Sequence, residues 1–339
     1  MNEPLFFSVG GVRTTVEFVA PPLNPGADLT VADTTTVGLL RPGAGNTLSL
    51  PPGEKAKVWN SVSTILARCA EASLGRDSTI AGVGGGVICD VTAFAASVYM
   101  RGCGLVLAPT TLLAMVDASL GGKTGIDFLG FKNLVGTFYP ASRILVCPAV
   151  LAGLTDREYL SGLAEVIKSA IIGDARLFAL LEERHGEVLA REPALVGEVI
   201  RRSLAVKGRI VEEDPREQGR RAFLNLGHTF GHALESATGF SGWTHGEAVA
   251  WGMGRALAAG VRLGITDRAF ADRARALLER YGYRLQAGVG LGDLSVAFAR
   301  DKKRQGGRTR LVLASGLEEI VVREVSDEDL AAALAESRR

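Results

Sequence analysis

Between Asp77 and Cys147 the chain alternates between two periodicities. Asp77–Val83 is β-prone and ends in Gly84-Gly85-Gly86, and helical spacing then runs from about Val87 to Met100. Gly104–Ala108 reads as a second strand closed by Pro109, and residues 110–119 are helical. Arg143–Cys147 is a third strand, closed by Pro148. Strands separated by helical crossovers pair in parallel, and parallel sheets are covered on both faces. The spacing therefore predicts an α/β, Rossmann-like parallel-sheet domain. Residues 1–56 add short strands and loops, and helical spacing resumes over 54–74. Beyond about residue 154 the pattern changes: 156–172, 176–190, 193–213, 222–238, 245–263 and 267–281 all carry helical periodicity. Two β-prone runs, 309–314 and 319–323, follow. The chain thus divides into an α/β part, 1–150, and a mostly α-helical part, 151–339.

A length of 339 residues is enough for two separate cores. With a net charge of +1, no basic surplus favours nucleic acid or an anionic membrane, so any anion must be met by locally placed cations. Cys69, Cys89, Cys103 and Cys147 lie among apolar neighbours and form no CxxC pair, which fits buried thiols in a reducing compartment. The first residues, MNEPLFFSVGG, lack a charged leader ahead of a long apolar core, and the apolar stretches are broken by Gly, Pro and Asp. A cytoplasmic protein is expected.

Three of the four histidines, His228, His232 and His245, fall within eighteen residues. Such clustering fits metal ligation or proton transfer better than three unrelated core imidazoles. Spacing alone makes His228 and His232 an HxxxH chelate, with His245 as a third ligand from a second helix. It cannot separate ligand from proton shuttle. Arg221, Asn225, His228 and His232 would share one stripe of a helix. In the helical segment GLAEVIK, Glu165 and Lys168 are spaced i, i+3 among apolar neighbours, as a metal ligand beside an anion-binding cation would be. Gly84-Gly85-Gly86 would let backbone N–H groups approach a phosphate at a helix N-terminus, although it also suits a tight β-turn-α corner. Asp90, one turn on, suits a ribose hydroxyl or a cap. In the glycine-rich, apolar segment 115–133, Asp117, Lys123, Lys132 and Asn133 read as a buried anion site.

Taken together the ordered blocks PPGEKAK, GGGVICD, YMRG, APTTLLAMVDASLGGKTGID, KNLVGTFYP, GLAEVIK, RAFLNLGHTFGHALE, HGEAVAWGM and DKKRQGG resemble the 3-dehydroquinate synthase family, from about Leu48 to Val325. That resemblance implies a zinc- and NAD-dependent lyase of the shikimate pathway, the route to aromatic amino acids. It would convert 3-deoxy-D-arabino-heptulosonate 7-phosphate to 3-dehydroquinate and phosphate. The steps are transient oxidation, phosphate elimination, re-reduction and intramolecular aldol closure. It replaces the HxxxH reading with zinc (or cobalt) held by Glu165, His228 and His245, and leaves His232 for acid–base work. Glu217 matches a position credited with proton acceptance, and Lys168 and Lys123 join the catalytic set. Substrate binding is implied for Arg101, Asp117, Lys123, Asn133, Lys168, Lys207, Arg221, Asn225 and the Lys302-Lys303 pair. NAD binding is implied for Asp33, Glu54, Lys57, Gly85, Gly86, Asp90, Thr110, Thr111 and Lys132. A homodimer is implied, with a small-molecule substrate and neither nucleic acid nor membrane as partner.

The chain departs from the family pattern at Cys89, where Gly is usual, at Asp127 in place of Asn, and at Phe131 in place of Gly. Cys89 would either fill a gap or narrow the cofactor groove. A different sugar phosphate cyclase, such as an aminodehydroquinate synthase, is the nearest alternative. A metal-dependent polyol dehydrogenase would have no need of Arg101, Lys123, Lys207 and Arg221 together.

Overall fold

The computed structural model describes residues 3–43, 45–289, 294, 309–326, 328–330 and 332. Its elements are β1 (Leu5–Val9), β2 (Val12–Phe18), β3 (Leu29–Asp33), β4 (Thr47–Leu50), α1 (Trp59–Glu71), β5 (Thr79–Gly84), α2 (Gly86–Val98), β6 (Gly104–Pro109), β7 (Ile126–Phe128), β8 (Phe131–Val135) and β9 (Arg143–Val146). Then come α3 (Asp156–Gly173), α4 (Ala175–Glu183), α5 (His185–Leu189), α6 (Pro193–Glu213), α7 (His228–Ala237), α8 (His245–Arg262), α9 (Arg268–Arg280), β10 (Thr309–Gly316) and β11 (Glu319–Val325). No helix among the described residues is long and apolar enough to cross a membrane.

Two compact units divide the chain: Met1–Thr155 with Pro193–Arg216, and Asp156–Glu192 with Glu217–Arg339. The single break at 150/151 is thus corrected in one respect, because α6 returns to the first unit. Its apolar stripe, including Leu195, Val199 and Val206, is buried there. A Cβ on Gly208 of α6 would stand 2.0 Å from the Phe7 ring of β1, so helix and strand touch with no room between them. Helical periodicity reveals an apolar stripe but not which neighbour covers it.

The first unit holds a seven-stranded sheet in the order β1-β2-β9-β6-β5-β3-β4. All pairings are parallel except the β1–β2 hairpin at one edge. Alternate residues Ala81 and Val83, Val106 and Ala108, Leu145 and Cys147 pack into one core cluster on one face, as the two-residue period of strands requires. α2 is buried along most of its length, which fits the apolar run from Val91 to Ala96.

Several expected helices are shorter or broken. Residues 54–74 form a 3₁₀ turn, Glu54–Ala56, and then α1. Of 110–119, residues 112–118 are helical, with Ala114–Ala118 wound as a π-turn. The run 176–190 breaks at Arg184 into α4 and α5. The run 222–238 is interrupted by Gly227 at φ 80°, which separates a 3₁₀ turn, Arg220–Asn225, from α7. Arg221 and Asn225 therefore do not share a helical stripe with His228 and His232. Periodicity continues across such breaks, because one left-handed residue changes direction without disturbing the apolar spacing on either side.

Segment 115–133 is also corrected. Lys123, Lys132 and Asn133 are exposed, so the anion site expected there is not buried. The β7–β8 hairpin is a separate two-stranded sheet with Phe128, Leu129 and Phe131 turned outward. Of the apolar residues that argue for burial, Phe128, Leu129 and Phe131 are on the surface, whereas Met115, Val116, Leu120 and Ile126 are in the core.

Candidate active site

α3 is buried on nearly every side from Ser161 to Ile172. Glu165 and Lys168 are consequently 1% and 2% exposed. Charges at that depth persist only when paired, and Lys168 Nζ bonds the Glu165 carboxylate directly. The sequence anticipated their shared face; the structure makes the pair fully buried.

Glycines at helix crossings bring two imidazoles to that carboxylate. Gly227 starts α7 in the left-handed conformation, so His228 is its first residue. A Cβ on Gly252 of α8 would lie 2.0 Å from the Gly227 carbonyl oxygen, and one on Gly246 would lie 2.0 Å from the Ser161 carbonyl oxygen. α8 thus touches both α7 and α3 at backbone distance. Its first turn is tied down by a capping box. Thr244 accepts from the Glu247 N–H, and Glu247 accepts from the Thr244 N–H at 2.6 Å and from Arg157 of α3 at 3.1 Å. Burial opposes charge on Glu247, but these two donors hold its carboxyl below the usual carboxylate range. The Gly246 N–H donates to Ser161 Oγ at 3.0 Å. The result is a fixed position for His245 at the helix start.

Glu165 Oε1 lies 3.7 Å from His228 Nε2 and 3.5 Å from His245 Nε2. Ligand atoms of the three residues are all within 4.8 Å of one another. Two ligands about 2.1 Å from a tetrahedral ion stand about 3.4 Å apart, so the trio has the spacing of a metal-holding set. One carboxylate and two imidazoles is also a zinc-type donor set that leaves a coordination position open. Burial lowers the His245 pKa, but Glu165 and Glu235 outweigh it and push the value up to about 10.

His232 stands outside this trio. It is exposed, with its ring 5.4 Å from that of His228 and 6.3 Å from that of His245. The HxxxH chelate drawn from spacing alone is not the arrangement formed. A second set of donor atoms, from His232, Glu235 and His245, also lies within 4.8 Å. Glu235 was not singled out from the sequence; its place seven residues after His228, hence on the same helical face, was the available signal. Nearby in sequence, Glu217 has φ 59° and its Oε1 accepts from Asn225 Nδ2 at 2.5 Å, while Arg221 is buried.

In the first unit, Asp33, Gly84 and Pro109 end the parallel strands β3, β5 and β6, followed by Gly85, Gly86, Thr110 and Thr111. Dinucleotides bind parallel α/β sheets at this carboxyl edge. A Cβ on Gly84 would sit 2.6 Å from Ile88 Cβ, so this glycine serves the tight corner. One on Gly86 would make only ordinary contact, 3.6 Å from Ala118. Thr110 N–H donates to the Gly84 carbonyl at 2.9 Å. Asp33 Oδ1 accepts from the backbone N–H groups of Thr35 and Thr36 at 2.8 and 2.9 Å, which commits that oxygen to a local turn. The other residues implied for NAD form two ion pairs, Lys57–Asp90 at 2.6 Å and Lys132–Glu54 at 3.6 Å. Burial works against charge on Lys57, and Asp90 overcomes it and raises the lysine's pKa. Cys89 is buried, its Sγ 3.7 Å from the Gly84 carbonyl, so it fills interior space.

Lys207 of α6 donates to both the carbonyl and the carboxylate of Asp117, at 2.5 Å for Oδ1. Arg101 is exposed, with φ 64° following Met100 at φ 50°. Asn133, at φ 50°, donates its N–H to Asp127 Oδ1 at 2.9 Å. Lys302 and Lys303 lie outside the described residues. The implied sites are thus distributed: the NAD set and Arg101, Asp117, Lys123, Asn133 and Lys207 in the first unit, the metal trio with Lys168, Glu217, Arg221, Asn225 and His232 in the second.

Fold and site define a class: a parallel α/β unit and a mostly helical unit in which one carboxylate and two imidazoles stand at the spacing of metal ligands. Family models for the 3-dehydroquinate synthase N-terminal and C-terminal regions match residues 47–161 and 162–304. The 3-dehydroquinate synthase of Acidithiobacillus ferrooxidans is 41% identical over 323 residues, covering 92% of this chain and 89% of that one. The chain belongs to the 3-dehydroquinate synthase family. Among solved structures, 2-epi-5-epi-valiolone synthase from Streptomyces hygroscopicus subsp. jinggangensis, with NAD+ and Zn2+ bound, has a TM-score of 0.86 at 27% identity over 95% of both chains. A 2-deoxy-scyllo-inosose synthase complexed with carbaglucose-6-phosphate, NAD+ and Co2+ shares the fold at TM-score 0.88 and 22% identity, over 99% of this chain and 100% of that one.

Proposed function

We propose that this chain is a 3-dehydroquinate synthase, a lyase that converts 3-deoxy-D-arabino-heptulosonate 7-phosphate to 3-dehydroquinate and phosphate. The observation that carries this reading is the convergence of Glu165, His228 and His245 beside Lys168, in a chain of this family. These three residues would hold zinc or cobalt, and the carboxyl edge of the sheet, with Asp33, Glu54, Lys57, Gly85, Gly86, Asp90, Thr110, Thr111 and Lys132, would hold NAD. When bound, NAD supplies a reversible hydride acceptor and the metal supplies Lewis acidity.

The chain's own groups bind, orient and move protons. The substrate carries a carboxylate and a phosphate, which require fixed cations in a protein with almost no net charge. Lys207, anchored by Asp117, and the buried Arg221 are cations held in place by the protein itself. Arg101, Lys123, Asn133 and Asn225 complete the polar set, with one lysine of the Lys302-Lys303 pair. Lys168 stands directly against the Glu165 carboxylate. Glu217, oriented by Asn225, serves as a proton acceptor, and the exposed His232 can exchange a proton with water. We also assign the protein to the cytoplasm, as a homodimer.

The test is phosphate release from the heptulosonate phosphate with catalytic NAD, before and after chelator treatment. Turnover without net NADH, lost on chelation and restored by zinc or cobalt, is expected. Net NADH production with a simple polyol and no phosphate release would replace this reading with a dehydrogenase. Turnover of a different sugar phosphate in preference would make it another cyclase.

A further inference from the structure

His228 and His245 approach the Glu165 carboxylate in the same way, each through Nε2. Behind each ring stands an oxygen. His228 Nδ1 lies 3.4 Å from the Leu226 carbonyl, and His245 Nδ1 lies 3.6 Å from Glu235 Oε1. Glu235 is buried on α7, seven residues after His228 and on the same face. A carboxylate buried there carries a desolvation cost that a facing ring N–H reduces. We infer that Glu235 is the positioning residue of His245: facing Nδ1, it keeps the hydrogen on that nitrogen and thereby turns Nε2 toward Glu165 as the metal-binding atom. This rests on the metal reading above.

α7 then supplies one imidazole ligand of its own and sets the orientation of the second, which comes from α8. The two rings are backed differently. The carbonyl behind His228 is neutral and belongs to the main chain, whereas the group behind His245 is an ionisable side chain that substitution can remove. At 3.6 Å the His245–Glu235 contact is an ion-pair distance rather than a short hydrogen bond, so the carboxylate acts chiefly by selecting which nitrogen carries hydrogen. The same cluster, His232, Glu235 and His245, has the spacing to hold an ion of its own. Positioning is favoured because His245 cannot donate from Nδ1 to Glu235 and ligate a second ion through the same nitrogen, and ligating through both nitrogens requires an imidazolate.

The experiment uses the full chain loaded with cobalt(II), comparing wild type with Glu235→Gln and Glu235→Ala. Affinity is read by chelator competition and ligand geometry by the visible absorption of the bound cobalt. Nitrogen-15 shifts of the histidine rings in zinc-loaded wild type give the tautomer. Glu235→Ala should weaken cobalt binding about 10- to 100-fold and alter the absorption band. Glu235→Gln, whose amide oxygen still accepts, should recover most of the loss. His245 should be metallated at Nε2 and protonated at Nδ1. Unchanged affinity and spectrum in Glu235→Ala, equal damage in both variants, metallation through Nδ1, or a second metal equivalent lost with Glu235 would each overturn the inference. Wild-type protein that takes up no cobalt would remove the metal reading itself, a result distinct from any of these.

Discussion

Lys168 sets its ammonium against the carboxylate of Glu165, one turn away on α3, and neither side chain reaches solvent. Two charges withdrawn from water into a helix packed on all sides are sustained by each other. The carboxylate at the centre of the Glu165, His228 and His245 cluster is therefore itself engaged by a cation.

Removing Lys168 takes away the cation bonded to the buried Glu165 carboxylate and leaves that charge to His228 and His245. Lys168→Met is expected to lower the stability of the metal-free protein by about 3–5 kcal/mol, measured by urea unfolding. Added zinc should return part of the loss, since it places positive charge beside Glu165 again. An unchanged unfolding midpoint with and without zinc would show that the pair contributes nothing.

His245 carries a pH signature. Its folded-state pKa is raised to about 10 from an ordinary value near 6.5, so the fold favours the imidazolium. That contribution is fully present below about pH 6.5 and is lost as pH rises through about 10. Metal-free protein should therefore lose more stability between these limits than His245→Gln does. Zinc must displace the same proton, so its apparent affinity should rise with pH over that window and binding should release protons into a weakly buffered solution. Pitting the two proteins against each other in pH-dependent thermal unfolding decides the matter; parallel curves would refute the assignment.

Gly246 is where α8 meets the backbone of α3. A methyl group there would overlap the Ser161 carbonyl at 2.0 Å. Gly246→Ala should push the start of α8 away, costing about 1–3 kcal/mol, and displace His245 from Glu165. A weakened metal site with the first unit's NAD binding intact is the expected combination. An alanine variant with wild-type zinc affinity would mean the helices can separate without moving the imidazole.

Arg101 occupies a left-handed backbone conformation, φ 64°, that disfavours a side chain by about 1–2 kcal/mol. Arg101→Gly relieves that conformation at some entropic cost, so it should leave stability unchanged or raise it by up to about 1 kcal/mol. If Arg101 binds substrate, kcat/KM should fall sharply at the same time. A variant as active as wild type would mean that the arginine does not touch the substrate.

The alternation of strand and helix from Thr79 to Val146 was legible because period 2 and period 3.6 leave different apolar patterns. The histidine cluster and the Glu165–Lys168 spacing stood out for their residue chemistry. Where periodicity was followed too far, single residues broke it: Gly227 divides the expected helix 222–238, and Arg184 divides 176–190. The apolar character of 115–133 argues for burial because hydrophobic residues favour the interior, yet Phe128, Leu129 and Phe131 stand exposed in a separate two-stranded sheet.

Local sequence determined the elements, their order and the residue types able to carry the chemistry, since periodicity, caps and spacing act over a few turns. Only the tertiary structure decided which of those residues meet. It chose His245 of α8 over His232 of α7 as the second imidazole at Glu165, backed it with Glu235, and returned α6 with Lys207 to Asp117 of the first unit. The reason is steric and long-range: helices touch where glycines such as Gly246 and Gly252 let backbones close to contact, and Gly246 meets Ser161 across 85 residues of sequence, beyond any local window.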